Sequence, residues 1–370
     1  MIENRRNEYH PDVVSAPGET LLDVLEERGL SQAELAERTG RPLKTINEIV
    51  KGKTALTPDT AIQLERVLNV PAAFWNQRES NYRAYIACQK EQQKLNSHGK
   101  WIKQFPISEM VKRKWITDPG KQITAQIIAL LNFFGVASPE QWEEGWTKKR
   151  LAFRTSRAFK AKAGPTSVWI RRGEIEAEKV VCSPFDRSKL QDALPKLREL
   201  TRMSDPAKFV PKLITICAEA GVAVVLIPAL PGVRISGASK WLSPTKATIQ
   251  LSLRGKSDDL LWFTVFHEIN HILHHSKKEL FVNINNQLTE DTPEEEEADK
   301  LTAEMLIPRA KLNEWIEQQT VLSKANIESF SEAVGISAGI VVGRLQFLKK
   351  IPFNSPLNSL KVRYTWSEPE

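Results

Sequence analysis

The sequence predicts a mainly α-helical protein with a small β-sheet, an α+β fold, and three observations support this class. A series of short, capped helical segments fills the first quarter of the chain. Two short segments in the second half have the composition of β-strands. An apolar helical segment then carries four of the chain's six histidines. A chain of 370 residues is long enough for two or three domains, each with its own core.

Composition narrows the class of protein. Hydrophobic residues make up 41% and charged residues 26% of the chain, which excludes wholesale disorder. No apolar run approaches the length of a membrane span, and the polar amino terminus "MIENRRNEYHPDVV" lacks the apolar segment of a secretory signal. Three widely spaced cysteines fit a reducing compartment. We therefore expect a cytoplasmic protein without a membrane partner, and the net charge of +7 weakly favours nucleic acid as a partner.

Five helices are predicted at the amino terminus. The second, "SQAELAERTG", begins with a capping box of Ser31 and Glu34 and ends at Gly40. Thr57 and Pro58 open the fourth helix, for which four residues are predicted on the inward face, Ile62, Leu64, Val67 and Leu68. The segments in chain order are 18–28, 31–40, 41–53, 57–70 and 71–90.

The second and third segments have the form of a helix-turn-helix, in which one helix lies in the major groove of DNA. Ala36 is small where the helices would cross, and Leu35, Ile46 and Ile49 can anchor the pair. Four outward polar residues are predicted to contact base edges or nearby phosphates: Lys44, Thr45, Asn47 and Glu48. Three more are predicted to contact phosphates only: Gln32, Lys51 and Lys53. The alternative is a small helical bundle with a charged surface.

The stretch "LSQAELAERTGRPLKTINEIVKGKTALTPDTAIQLERVLNVPAAFWNQRESNY" resembles the HigA-type antitoxins of the Cro/repressor group, over about residues 8–90. The resemblance implies a DNA-binding domain that binds operator DNA as a homodimer. It also implies repression of an operon and binding of a cognate toxin protein.

The middle of the chain, 91–204, is predicted to be a helical linker region. Residues 89–104 are polar and are interpreted as a linker or an exposed helix end. The stretch 147–162 has seven basic residues and no acidic one, with Phe153 and Phe159 interleaved. It is interpreted as a solvated helix face, with contact to nucleic acid as the alternative.

Two strands are predicted before the histidine-rich helix. The β-branched segment 221–228, bounded by glycine and proline, is typical of a buried strand. The segment 247–253 alternates apolar and polar residues, which predicts a half-buried or edge strand.

The segment "FHEINHILHH", residues 266–275, indicates a catalytic metal site. His267 and His271 are four residues apart, so on a helix both imidazoles share one face and can hold a single ion. Glu268 then lies where it can take a proton from water, which is the H-E-x-x-H arrangement of zinc hydrolases. Zn²⁺ lowers the pKa of its water to roughly 7 and polarises a carbonyl. His274 and His275 are interpreted as ordinary helix residues.

A third ligand is expected from the acidic run that follows, because a catalytic zinc normally takes three protein ligands. Glu295 and Asp299 are four residues apart, so Glu295 could bind the ion while Asp299 accepts a hydrogen bond from a ligand histidine. The remaining glutamates of the run are rivals at positions 294, 296 and 297. The alternative is a solvated helix start.

The segments "FTVFHEINHILHH" and "EEEADKLTAEMLIP" resemble the ImmA/IrrE-type metallopeptidases over about 205–310. The resemblance implies a zincin-like fold in which His267, His271 and Glu295 bind zinc and Glu268 is the general base. The sequence departs from the second motif of that family at three positions. Leu301 stands where the motif has phenylalanine, Thr302 where it has alanine, and Met305 where it has leucine. An edge strand beside the site could add an extended peptide, which suggests a protein substrate.

Together these features predict an antitoxin-like, DNA-binding transcriptional regulator that carries a zinc metallopeptidase domain at 205–310 and a helical extension at 311–370. The peptidase would cleave a specific protein, such as a repressor or a toxin. Two alternatives stay open. One is a stress-responsive metalloprotease that the helix-turn-helix only targets, and the other is a non-catalytic zinc-binding sensor or repressor.

Overall fold

The computed structural model describes residues 14–152, 163–276, 281–283 and 292–366, without the side chains of 147–152, 282 and 283. The chain divides into two compact units, Met1–Gly99 and Lys100–Glu370. The predicted fold class is confirmed, because helices dominate both units and the strands form one small sheet in the second.

Within the described residues 14–99 of the first unit, five helices pack together, as predicted. Leu35, Ile46 and Trp75 are buried in a single apolar core with residues from the other helices. The one inward residue predicted wrongly is Ile62, which is 44% exposed, while Leu64 is fully buried. Residues two apart on a helix point to opposite sides, so both cannot face the core. The helices are α1 (Pro17–Glu27), α2 (Gln32–Thr39), α3 (Leu43–Val50), α4 (Pro58–Leu68) and α5 (Ala72–Asn96).

The predicted ends of α2 are present. The Ser31 hydroxyl accepts a hydrogen bond from the Glu34 backbone N–H at 3.1 Å, and the Glu34 carboxylate accepts one from the Ser31 backbone N–H at 2.8 Å. Gly40 ends the helix with φ of +66°, a conformation that costs glycine least. The fifth helix runs on to Asn96, so the polar residues 89–96 belong to a helix end and not to a linker.

The second unit surrounds a four-stranded sheet of order β1-β3-β2-β4. Its strands are β1 (Val222–Leu226), β2 (Gly237–Ser243), β3 (Lys246–Leu251) and β4 (Phe281–Asn283). The helices from Gly99 onward are α6 (Gly99–Ile102), α7 (Ile107–Lys112), α8 (Ile123–Phe134), α9 (Pro139–Ala152), α10 (Ala163–Lys179), α11 (Arg187–Leu200), α12 (Pro206–Glu219), α13 (Asp258–His274), α14 (Pro293–Leu306), α15 (Arg309–Glu317), α16 (Lys324–Val334) and α17 (Ala338–Phe347). A 3₁₀ helix at Pro356–Leu360 follows.

No single helix of the described ranges is long and apolar enough to span a membrane; α8 and the residues 139–146 pass that test only as a bent pair.

The prediction that 247–253 is a half-buried or edge strand is wrong. β3 pairs in parallel with β1 and antiparallel with β2, so it lies inside the sheet. Its polar residues are buried as well. Thr248 donates to the Ala223 carbonyl at 3.0 Å, and Gln250 donates to the Trp169 carbonyl on α10 at 2.7 Å. Both faces of β3 are therefore buried. The alternation of apolar and polar residues marks one face that packs through apolar contacts and one face whose polar side chains form hydrogen bonds.

The histidine-bearing helix α13 packs against the sheet in the largest apolar core, in which Trp262, Val265 and Ile269 are fully buried. Helices α16 and α17, beyond residue 310, contribute to the same core. Burial positions the imidazoles because the apolar residues of α13 leave the helix little freedom to rotate or slide.

The amino-terminal end of α13 is anchored by buried charges. Asp258 accepts hydrogen bonds from the Ser337 hydroxyl at 2.6 Å and from the Val362 N–H at 3.1 Å, and Lys361 binds the Asp259 carboxylate at 2.6 Å. Burial raises the pKa of Asp258 to about 6. These bonds connect the C-terminal segment to the start of the helix that carries the site.

Candidate metal centre

His267 and His271 lie side by side on α13, where their exposed fractions are 1% and 2%. Their Nε2 atoms are 2.9 Å apart. The four-residue spacing places both rings on one face of the helix, and the apolar residues around them exclude solvent. Two buried imidazoles with converging Nε2 atoms need a shared partner.

Glu295 reaches both rings from α14. Its Oε2 lies 3.0 Å from Nε2 of His267, and its Oε1 lies 3.4 Å from Nε2 of His271. The helix begins at this point because the Thr292 hydroxyl caps it, accepting from the Glu295 N–H. That cap holds Glu295 in the first turn, facing α13.

The three donors fit a zinc-sized cation. One ligand atom from each of His267, His271 and Glu295 lies within 4.8 Å of the others. Donors bound tetrahedrally at about 2.0–2.1 Å from zinc stand about 3.3–3.4 Å apart. The observed separations of 2.9–3.4 Å require small outward shifts only.

The outer nitrogens of both rings have partners. Nδ1 of His267 lies 2.9 Å from a carboxylate oxygen of Asp299. Nδ1 of His271 lies 2.8 Å from Nδ1 of His275, and Nε2 of His275 lies 3.3 Å from the Glu297 carboxylate. His275, expected from the sequence to be an ordinary helix residue, therefore contacts a candidate ligand ring. Its signal was present, because His275 follows His271 by the same four residues that separate His271 from His267.

Glu268 is fully buried, and neither of its carboxylate oxygens has a hydrogen-bond partner in the described part of the chain. Burial raises its pKa to about 8, while the charge of His267 and the nearby Ser239 hydroxyl on β2, which is outside hydrogen-bonding geometry, act in the opposite direction. The side chain fits against β2 because Gly237 has no Cβ; one placed there would lie 2.8 Å from Oε1 of Glu268 and 2.4 Å from Cγ2 of Thr264.

The pKa values of the three candidate donors are shifted in different directions. Burial alone would lower the pKa of His267, but its hydrogen bonds to Asp299 and Glu295 raise it to about 10. Burial lowers the pKa of His271 to about 4. Burial would raise the pKa of Glu295, but the hydrogen bonds from both histidines lower it to about 2. Glu295 is therefore an anionic donor at neutral pH, as cation binding requires.

The other glutamates of the acidic run point elsewhere. Glu296 forms an ion pair with Lys300 at 3.1 Å, and Glu297 faces His275. Among the described residues, the only group of histidine, cysteine or acidic side chains placed to hold a metal contains Glu295 and neither Glu294, Glu296 nor Glu297.

The departures at Thr302 and Met305 have a shared explanation. The Asn270 amide nitrogen lies 3.0 Å from the Thr302 hydroxyl and 3.6 Å from the Met305 sulfur. Thr302 is fully buried. The polar residue inside the H-E-x-x-H segment therefore finds its acceptors at the positions where α14 departs from the expected pattern.

The residues predicted to contact DNA lie in the first unit, around α3. Lys44, Lys51 and Lys53 are exposed, whereas Thr45, Asn47, Glu48 and Gln32 are partly buried. The Glu48 carboxylate accepts from the Thr54 hydroxyl at 3.0 Å and lies 4.0 Å from the Lys44 ammonium. Glu48 therefore has a role inside the unit, holding the loop after α3, that competes with contact to a base.

The basic stretch 147–162 falls mostly on residues outside the described part of the chain. Residues 153–162, with Phe153 and Phe159, lie outside the described residues, and so do the side chains of 147–152.

Two family models match separate parts of the chain. A helix-turn-helix model matches residues 21–75. A peptidase-family model, the IrrE N-terminal-like domain, matches residues 217–346. The second match continues past residue 310, the predicted end of the domain, and includes α16 and nearly all of α17.

Individual related proteins match smaller parts of this chain than the IrrE N-terminal-like model does. Virulence-associated protein A of Dichelobacter nodosus is 36% identical over 59 residues, which are 16% of this chain and 58% of that protein. The chain thus spans little more than half the length of this curated relative. The antitoxin HigA of Pseudomonas aeruginosa, solved with the higBA promoter, is 31% identical over 22% of this chain and 91% of that chain, with a TM-score of 0.22. An addiction module antidote protein of a HigA family from Coxiella burnetii is 25% identical over 23% of this chain and 92% of that chain, with a TM-score of 0.21.

Proposed function

The chain carries a helix-turn-helix domain and an IrrE N-terminal-like domain, and from this combination we propose that it is a DNA-binding, antitoxin-like transcriptional regulator whose second unit is a zinc-dependent peptidase. The peptidase cleaves a specific protein. The first unit binds operator DNA, as a homodimer.

The observation that supports the peptidase proposal most strongly is the environment of the Glu268 carboxylate. Burying a polar group without a hydrogen-bond partner costs about 1–3 kcal/mol, and more for a charged group. A position with only a packing role would favour an apolar side chain of similar size. Glu268 is instead buried and unpartnered next to three converging metal donors. A catalytic role as general acid and base would explain why the protein keeps a carboxyl group here despite the free-energy cost of burying it.

The residues divide the work of peptide hydrolysis. His267, His271 and Glu295 would hold zinc, which when bound supplies a Lewis acid and water of lowered pKa. Asp299 accepts from Nδ1 of His267 and so presents Nε2 to the cation. Glu268 takes a proton from the attacking water and gives it to the leaving amine nitrogen of the peptide.

His275 would orient the other ring. It lies at Nδ1 of His271 and is itself close to Glu297, so a chain of hydrogen bonds runs from the exposed helix surface to the ligand ring. Both imidazoles would then have an orienting group on the side away from the cation.

The peptidase is tested by comparing cells that express the wild type or the Glu268→Gln variant, with new protein amino termini identified by mass spectrometry. We expect at least one discrete terminus that only the wild type produces. Both proteins should contain equal zinc, because Glu268 is not among the donors. Identical sets of termini would contradict the peptidase and leave the non-catalytic sensor.

Operator binding is supported by the packing of α2 and α3 and by the exposed lysines beside α3. Lys44, Lys51 and Lys53 would neutralise phosphates, and Asn47 is suited to read adenine. Thr45 and Gln32 would position the helix.

The DNA proposal is tested with DNA from upstream of the protein's own gene. Replacing Lys51 with alanine should weaken binding to all sequences and reduce the salt-dependence slope by about 0.9. Asn47→Ala should relax preference at one base pair. An unchanged preference in Asn47→Ala would show that α3 is not the reading helix.

A further inference from the structure

A cleft of about 560 Å³ opens in the second unit beside the histidine-bearing helix α13. Sites for small molecules have volumes of about 300–1,000 Å³, so the cleft is large enough to hold one. Phe266 lines it and is only 1% exposed. Phe266 precedes His267 by one residue, and successive residues of a helix are turned by about 100°. The cleft therefore lies on a different face of α13 from the metal centre.

One part of the lining of the cleft is apolar. It is formed by Leu194 of α11, Phe266 of α13, Met305 of α14 and Val334 of α16. Phe266 and Met305 belong to the two helices that carry the candidate metal donors. An occupant would contact both helices at residues other than the donors. Because burying apolar surface is favourable, this wall is suited to a hydrocarbon or aromatic group.

The other part of the lining is cationic. Arg198, Arg202 and Lys311 line the cleft together with one acidic residue, Glu199. Within the described residues, none of the three cations forms an ion pair. Nε and Nη2 of Arg198 donate to the Leu306 carbonyl at 3.3 and 2.9 Å, which fixes the guanidinium at the cleft. Three positive charges and one negative charge suit a single anionic group better than a polyanion.

We propose that this cleft is a second ligand site, which binds a small organic anion with an apolar body and one carboxylate, sulfonate or phosphate group. The anionic group would accept a hydrogen bond from Nη1 of Arg198 and lie near Arg202 and Lys311. The apolar body would pack against Phe266 and Met305. The inference does not depend on the proposed peptidase, because the site uses none of the metal donors.

The probe for this site is octane-1-sulfonate, which joins a hydrocarbon chain to one anionic group. Its binding to the full-length protein is measured by isothermal titration calorimetry in low-salt buffer. Methanesulfonate supplies the anionic group alone, and 1-octanol supplies the chain with an uncharged end. We expect octane-1-sulfonate to bind at least about 10-fold more tightly than either, because each comparison compound lacks one half of the interaction.

Variants locate the probe. Arg202→Gln combined with Lys311→Gln should weaken binding of octane-1-sulfonate roughly 2- to 20-fold, because each exposed charge contributes a small factor. The matched control is Lys208→Gln combined with Lys212→Gln, which removes two exposed positive charges from α12 and should leave binding unchanged. Leu194→Trp should also weaken binding, because the larger side chain fills part of the cleft without changing its charge.

Four results would overturn the inference. Equal affinity for octane-1-sulfonate and 1-octanol would show that no cation recognises the probe. Equal weakening by the two double variants would mean that only the net charge of the protein attracts it. Binding that is unchanged in both Leu194→Trp and the Arg202 and Lys311 double variant would place the probe outside the cleft, and binding that a zinc chelator abolishes would place it at the metal centre. If Leu194→Trp does not fold, the two double variants decide. Failure of the peptidase is seen separately, as the absence of Glu268-dependent amino termini in cells.

Discussion

Replacing Glu295 with glutamine should weaken zinc binding by at least about 100-fold, and replacing its neighbour Glu296 should not. The two oxygens of Glu295 lie 3.0 and 3.4 Å from the Nε2 atoms of the two histidines. Hydrogen bonds from those rings lower its pKa to about 2, so it offers a full negative charge at neutral pH. Glutamine keeps the shape and loses the charge.

The size of the effect follows from the position of each residue. Loss of a group that only orients a ligand costs roughly 10- to 100-fold in metal affinity, which is what we expect of Asp299→Asn. Loss of a direct donor must cost more, so about 100-fold, or about 2.7 kcal/mol, is the lower limit for Glu295→Gln. With zinc in excess, the zinc-dependent stabilisation of the fold should fall by the same amount.

The assay is a competitive zinc titration against a chromophoric chelator, with thermal unfolding measured with and without zinc. Glu296→Gln is the matched control, because Glu296 is on the same helix and its carboxylate faces Lys300. The expected order of zinc affinity is wild type and Glu296→Gln, then Asp299→Asn, then Glu295→Gln. Affinity of Glu295→Gln within threefold of the wild type, on the order of 0.7 kcal/mol, would refute the assignment of the third donor.

Three further changes test the packing around the centre. In the metal-free protein the pKa of Glu268 is raised by burial from 4.5 to about 8, so its contribution to stability is complete below pH 4.5 and is lost as the pH rises through 8. Urea unfolding should therefore show Glu268→Gln to be more stable than the wild type by roughly 3 kcal/mol at pH 7, and no gain would contradict the buried carboxylate. Gly237→Ala should destabilise the protein by about 1–3 kcal/mol through overpacking, whereas Gly145→Ala, where a Cβ meets nothing within 4 Å, should not; equal melting temperatures would argue against the close contact with β2. Thr302→Ala should cost about 1 kcal/mol in the same unfolding assay, because the Asn270 amide loses an acceptor, and a neutral result would mean that this hydrogen bond contributes nothing.

Much of the first unit was predictable because its signals are local. A capping box is a property of four consecutive residues, and a glycine stop is a property of one. The buried positions Leu35, Ile46 and Ile49 follow from helical spacing. Ile62 was assigned wrongly because hydrophobicity alone does not say on which side of a helix a residue lies.

The second unit was less predictable because its sheet is assembled from distant segments. Alternation in residues 247–253 shows that the strand has two kinds of face, but Thr248 and Gln250 are buried under contacts that no local pattern encodes. Strand β4 was missed for the same reason. Three residues carry too little periodicity to be read as a strand, and their pairing with β2 exists only in the folded chain.

The sequence by itself determined the part of the metal centre that lies within one helix, since His267, Glu268 and His271 follow from a four-residue spacing. For the third donor it favoured Glu295, from its four-residue spacing to Asp299, and left the other glutamates of the run as rivals. Only the packing of α14 against α13 places Glu295 beside the two rings and turns Glu296 towards Lys300. Neighbours in a helix are set by covalent geometry, whereas the contact between two helices is set by how their side chains fit, and that fit involves the whole core.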